Sequence, residues 1–205
     1  MLSRISLLLL ATLVGCQSSG DGVPIVRSPE HFNQLAKKGE VLSREGLTNY
    51  EKGLPLSQDE QAKLTKARMV YIGLRDYAPA IPNNHFALGK IARALQDDAA
   101  AQDHFAQVVA LLTALREPSE DEVTLLAESY GELSRILLLQ GRVQDAGEQA
   151  DYARQLRPED PRYQIDQASV LIQAGREKEA KALLAGVLKA NPGDRRARGL
   201  YGLIK

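Results

Sequence analysis

Residues 137–158 read LLLQGRVQDAGEQADYARQLRP, and residues 171–192 read LIQAGREKEAKALLAGVLKANP. The two stretches align without a gap at an offset of 34 residues. The aligned pairs are Leu137 with Leu171, Gly141 with Gly175, Ala146 with Ala180, and Pro158 with Pro192. A fixed offset of this length indicates a helix-turn-helix unit that recurs along the chain. The sequence therefore predicts an all-α protein in which helical hairpins are stacked.

The composition is that of a folded protein with no net charge. The 205 residues are 44% hydrophobic, and 26 basic residues balance 26 acidic ones. This apolar content excludes a chain that is disordered throughout. A nucleic-acid-binding protein should show a basic excess or a basic face, and the balanced charge argues against that class. No long stretch alternates polar and apolar residues, so no sheet is predicted.

The repeat resembles the tetratricopeptide (TPR) family, in which each unit is one helical hairpin. Leu88-Gly89 matches the family's Leu-Gly pair, and Ala101 and Phe105 match its Ala and Phe. The resemblance implies a right-handed superhelix, an α-solenoid of helix-turn-helix TPR units. It divides the folded chain into N-terminal helices with a half-repeat cap (28–81), three TPR units in 82–194 (82–115, 127–160 and 161–194) and a C-terminal capping helix (195–205).

Small residues at set positions are expected to let the two helices of a unit approach each other. Ala101, Ala146 and Ala180 fall where the helices cross, and a larger side chain there would overpack the contact. Between the first two units, Ser119 to Glu122 has the pattern of a capping box. It predicts a long helix from about 120 to 140.

The N-terminus has the layout of a secretory signal peptide. Arg4 precedes an apolar run of ten residues that ends at Gly15-Cys16, and that run is too short to span a membrane. Leu13 to Cys16 resembles the lipobox of bacterial lipoproteins. The resemblance implies removal of residues 1–15 and attachment of acyl chains, such as palmitate, at Cys16. An ordinary cleaved signal with an incidental cysteine, or a buried N-terminal helix, is the alternative.

A short linker is expected to follow the lipid. Residues 16–27 are rich in Ser and Gly, which predicts a flexible lipidated tether. An aspartate after the lipidated cysteine is associated with retention in the inner membrane of Gram-negative bacteria. Gln17 stands there instead. This favours a protein held at the outer membrane and facing the periplasm.

The sequence carries no catalytic or metal-binding signature. Its three histidines (His31, His85 and His104) do not have the spacing of a zinc site, and there is no second cysteine to serve as a ligand. Phosphate-loop and nucleophile-elbow patterns are absent as well. We therefore expect a protein that is not an enzyme and that needs no cofactor, metal or small-molecule substrate.

The TPR resemblance implies a concave peptide-binding groove lined by set positions of each first helix. Carried over to this chain, they give a candidate groove of Asn83, Phe86, Lys90, Arg93, Arg135, Leu138, Arg162, Ile165 and Ile172. Its arginines and lysine, which we expect to be exposed, favour an acidic partner segment. The alternative is that these charges only form a solvated face.

Two functions fit these features. The first is a membrane-anchored adaptor that binds proteins during assembly of the cell envelope. The second is a non-catalytic regulator of a peptidoglycan synthase or hydrolase. In both, the partner is a protein or peptide and the membrane contact is made through the lipid on Cys16.

Overall fold

The computed structural model describes residues 22–204. Within that range the chain forms ten helices and no strand. The helices are α1 (Pro29–Gly46), α2 (Thr48–Glu51), α3 (Gln58–Tyr77), α4 (Pro82–Ala94), α5 (Asp98–Thr113), α6 (Glu120–Leu139), α7 (Val143–Leu156), α8 (Pro161–Gln173), α9 (Glu177–Ala190) and α10 (Arg195–Leu203).

Polar side chains begin the long helices. Ser57 caps α3 and Ser119 caps α6, and in each case the backbone N–H of the serine donates to the carboxylate of the glutamate three residues later. These reciprocal bonds satisfy amide groups that a helix leaves unpaired at its start. The long helix expected from about 120 to 140 is confirmed as α6.

The helices pair into consecutive hairpins that stack as an α-solenoid. Helices α4 and α5, α6 and α7, and α8 and α9 form the three hairpins, and α1 packs against α3 in front of them. Gly141 and Gly175 make the turns inside the last two hairpins with φ of 75° and 73°. That left-handed conformation suits glycine because it has no Cβ atom.

Small residues set the distance between the helices of each hairpin. Ala146 and Ala180 are fully buried at the crossings, as the repeat predicts. The hydroxyl of Ser134 on α6 donates to the carbonyl of Ala146 on α7 over 2.8 Å. A Cβ atom added at Gly89 would lie 2.8 Å from the ring of Phe105. Close packing therefore depends on these small side chains, since a larger one would collide with the facing helix.

The end of the predicted tether packs onto the first helices. Pro24 is buried, and its carbonyl oxygen would lie 2.3 Å from a Cβ atom at Gly73 of α3. Val26 packs against the apolar cluster that contains Leu35 and Val70. Residues 23–26 are therefore part of the folded body, which shortens the tether expected to reach residue 27. Apolar side chains in this stretch, which the count of Ser and Gly overlooked, explain the difference.

The predicted lipid attachment at Cys16, with the signal peptide before it, lies outside the described residues. Among the helices of residues 22–204, none is both long and apolar enough to cross a membrane.

Candidate functional site

A small cleft lies where the first helices of the three hairpins meet. Its volume is about 70 Å³. Helices α4, α6 and α8 all contribute to it, so one surface runs across all three units. The lining residues are Phe86, Lys90, Glu128, Glu132, Arg135, Arg162 and Tyr163. Two aromatic side chains and a set of opposite charges therefore share the inner face of the solenoid.

Arg135 is the central cation of this face. Its guanidinium contacts Glu132 at 2.8 Å and Asp166 on the next hairpin at 2.8 Å. Asp166 is only 1% exposed and also pairs with Arg196 of α10. Burial disfavours the charge on Arg135, but the carboxylates of Asp166 and Glu132 outweigh that effect and raise its pKa. A buried carboxylate shared by two arginines is stabilising only because both partners are in place.

Further ion pairs cross the other junctions between first helices. Arg93 of α4 reaches Glu132 of α6 at 3.7 Å, and Arg162 of α8 reaches Glu128 of α6 at 3.0 Å. Lys90 of α4 lies 3.9 Å from Glu51 of α2. We call this series, from Glu51 to Arg196, the ion-pair ladder. It links α2, α4, α6, α8 and α10 along one face.

Tyr163 lies under this layer of charges. It is 2% exposed, and its hydroxyl has no hydrogen-bond partner among the described residues. The guanidinium of Arg162 is 5.5 Å from the centre of its ring. Burial raises the pKa of Tyr163 to about 12, and nearby Arg162 partly opposes the rise. The phenol is thus neutral at physiological pH.

The structure brings together four of the nine predicted groove residues. Phe86, Lys90, Arg135 and Arg162 line the cleft, and Arg93 joins the ladder beside it. Asn83 is exposed in the first turn of α4 and lies outside the lining of the cleft.

The three aliphatic residues of the predicted groove pack against apolar clusters instead, one of them buried and two partly buried. Ile165 is 3% exposed, and Ile172 packs against the same cluster. Leu138 packs against the cluster that contains Ala146. Ile165 and Ile172 are seven residues apart, which places them on one stripe of α8. That stripe packs against α9 and α10, so these two side chains are turned away from the cleft.

The expected exposure of the groove arginines is also corrected. The side chain of Arg93 is 15% exposed and pairs with Asp98 as well as Glu132. Arg135 is held between Glu132 and Asp166. These arginines therefore do not form a surface of unpaired positive charge, because each has an acidic side chain beside it.

Sequence reasoning missed the acids that complete the ladder, although a signal was present. Glu132 and Asp166 are 34 residues apart, and so are Arg162 and Arg196. The same repeat offset that aligns the packing residues therefore aligns an acid in the second and third units, and an arginine in the third unit and the C-terminal helix. Extending the alignment to charged positions would have identified all four.

A second polar cluster joins α4 to α5 away from the cleft. His85 is 7% exposed, and its Nε2 lies 3.1 Å from the carbonyl oxygen of Pro79. A carbonyl can only accept, so Nε2 carries the proton. The ring of His104 lies 5.7 Å from that of His85. Within residues 22–204, no group of three or more metal-ligating side chains is brought together.

Comparison with known proteins shows which family the repeat resembles. Residues 137–204 match the tetratricopeptide repeat family. No curated protein matches the chain. Among solved structures, the chain is similar to the MamA protein, with 19% identity over 78% of this chain and 79% of that one, at a TM-score of 0.50. It is also similar to a Podosopora anserina protein with nearly identical kinesin-light-chain TPR-like repeats. That match has 20% identity over 86% of this chain and 95% of that one, at a TM-score of 0.56.

These similarities establish the fold. The fold is an all-α solenoid of TPR units, and the C-terminal part of the chain carries the family's sequence pattern. TPR proteins are generally non-catalytic scaffolds whose repeats bind other proteins.

Proposed function

We propose that this protein is a non-catalytic adaptor of the cell envelope, anchored by a lipid on Cys16, and that its cleft binds a segment of another protein. The observation that carries the binding role is the cleft shared by α4, α6 and α8. It offers the partly buried ring of Phe86 beside partly exposed charges of both signs, above a floor that includes buried Tyr163. Aromatic and arginine side chains are the types that dominate protein interfaces.

Fewer cations than the sequence predicted are available to an acidic partner. Arg93 and Arg135 are committed to carboxylates inside the protein. The side chain of Arg162 is 55% exposed and pairs with Asp160 at 2.7 Å and with Glu128, which is 30% exposed, at 3.0 Å. An acidic side chain of a partner would therefore compete for Arg162 by displacing Glu128. Such a contact at the rim orients a partner and weakens as salt screens it over about 8–10 Å.

The binding role is tested by photo-crosslinking in native membranes. A photoreactive residue at Asn83, which is exposed near the cleft, should capture a partner, and one at Tyr152 of α7 should not capture the same protein. Arg162→Ala should reduce the capture. Arg176→Ala is the matched control, because Arg176 is also about half exposed and paired to an acid. Equal capture by the two variants would exclude the cleft as the binding site.

The identity of the captured protein separates the two envelope roles. A channel or assembly component supports the adaptor, whereas a peptidoglycan synthase or hydrolase supports the regulator. The anchor is tested independently by labelling with a radioactive fatty acid. Cys16→Ser should abolish the label and release the protein from the membrane fraction. Labelling that survives this change would refute the anchor.

A further inference from the structure

A second concave surface lies along α1 and α3, away from the cleft. Two adjoining depressions, of about 420 and 480 Å³, share Leu35 and Lys38. We call this surface the tether furrow. Its apolar floor and basic rim include Leu35, Leu42, Met69 and Val70 with Lys38 and Lys66. The binding role proposed for the cleft does not involve the tether furrow.

The charges around the tether furrow are mainly positive. Lys38 and Lys66 are exposed, and neither forms an ion pair with an acid among residues 22–204. Arg27 and His31 line the other end, where Glu30 is the acidic residue. Cations around an apolar floor favour an occupant that combines negative charge with hydrocarbon.

The start of the folded chain lies at the tether furrow. Gly22 and Pro24 form part of its wall. Six residue steps separate Gly22 from Cys16, and a fully extended chain covers about 20 Å in that number. A lipid on Cys16 would hold this surface within that distance of the membrane. The cleft lies further along the solenoid, on α4, α6 and α8.

We propose that the tether furrow docks onto anionic phospholipid, so that the solenoid stands on the membrane with its first helices down and its cleft available to a partner. The proposal rests on the lipid anchor put forward above. Lys38 and Lys66 contact lipid phosphates, while Leu42 and Met69 lie against the acyl boundary. The acyl chains on Cys16 would fix only the start of the chain to the membrane, and a basic surface adds a second attachment that orients the solenoid.

The test uses vesicles and a chain without lipid, so its outcome does not depend on whether Cys16 is acylated. The chain is residues 16–205 with Cys16→Ser, which keeps every described residue. It should sediment with vesicles of phosphatidylcholine and phosphatidylglycerol and remain in solution with phosphatidylcholine alone. Lys38→Gln with Lys66→Gln should weaken this binding about 30-fold, because each lysine near an anionic surface contributes roughly a factor of five.

Two controls define the docking surface. Lys178→Gln with Lys189→Gln removes the same charge from exposed positions of α9 and should leave vesicle binding unchanged. The sequence has no tryptophan, so a single Met69→Trp should report lipid contact by a blue-shifted emission and quenching by brominated lipid. Tyr152→Trp should show neither. Absence of binding to anionic vesicles, or equal loss in both lysine pairs, overturns the proposal.

Discussion

Arg135 on α6 and Asp166 on α8 form an ion pair of 2.8 Å that joins the second and third TPR units. Asp166 is 1% exposed and pairs with Arg196 of α10 as well. One buried carboxylate therefore connects α6, α8 and α10 in succession. This ion pair therefore joins two stacked units and also lies at the candidate binding surface.

Asp166→Ala should lower the free energy of unfolding by about 2–4 kcal/mol, because it leaves two arginines without the buried carboxylate that compensates them. Asp145→Ala breaks a pair with Arg142 whose side chains are both about half exposed. It should cost less than about 1 kcal/mol. Urea unfolding of the two variants measures the difference. Similar losses would contradict a structural role for Asp166.

Ala180→Leu should destabilise the last hairpin by about 1–3 kcal/mol, because Ala180 is fully buried at a helix crossing and the larger side chain must push α8 and α9 apart. Ala146→Leu should act in the same way on α6 and α7. Ala182→Leu on the exposed side of α9 provides the control. Thermal unfolding should separate the buried variants from the exposed one, and an unchanged midpoint in Ala180→Leu would refute the assigned repeat position.

Gly73→Ala should release residues 23–26 from α3, because the new Cβ atom would overlap the carbonyl oxygen of Pro24. The body of the solenoid should remain folded, since the contact lies at its edge. Limited trypsin digestion should then cut faster after Arg27, with circular dichroism unchanged. Cleavage at the wild-type rate would indicate that this segment does not depend on Gly73.

Acidification should destabilise the interface between α4 and α5 through His104. Burial lowers the pKa of His104, and His85 and Arg75 lower it further, while Asp103 and Asp97 oppose them. The folded state therefore favours the neutral ring. The resulting contribution to the free energy of unfolding is fully present above the ordinary histidine pKa of about 6.5. That contribution is lost as the pH falls through the lowered pKa, because the unfolded chain takes up the proton first.

The variant His104→Gln removes this titration. The wild type should lose more unfolding free energy than the variant when the pH is lowered from about 7.5 to 5, a window that contains the histidine range. Denaturant titrations at the two pH values measure both losses. A loss of the same size in the two proteins would show that His104 does not couple to folding.

The sequence by itself determined the repeat and its internal packing. An offset of 34 residues placed Ala146 and Ala180 at helix crossings, and both are fully buried. It could do so because contacts inside a hairpin are local and recur in every unit. The capping box at Ser119 likewise marks the start of α6, since it depends on residues three apart in the chain.

Only the tertiary structure decided what the charged residues do. Arg93 and Arg135 were predicted as exposed groove residues, and both are paired across helices, while Ile165 and Ile172 face the core. Helical spacing assigns a side chain to a stripe of its own helix. It does not say which stripe the next unit covers, because that depends on the angle at which successive hairpins stack. The pairing of Arg135 with Asp166, 31 residues away, becomes visible only when that angle is known.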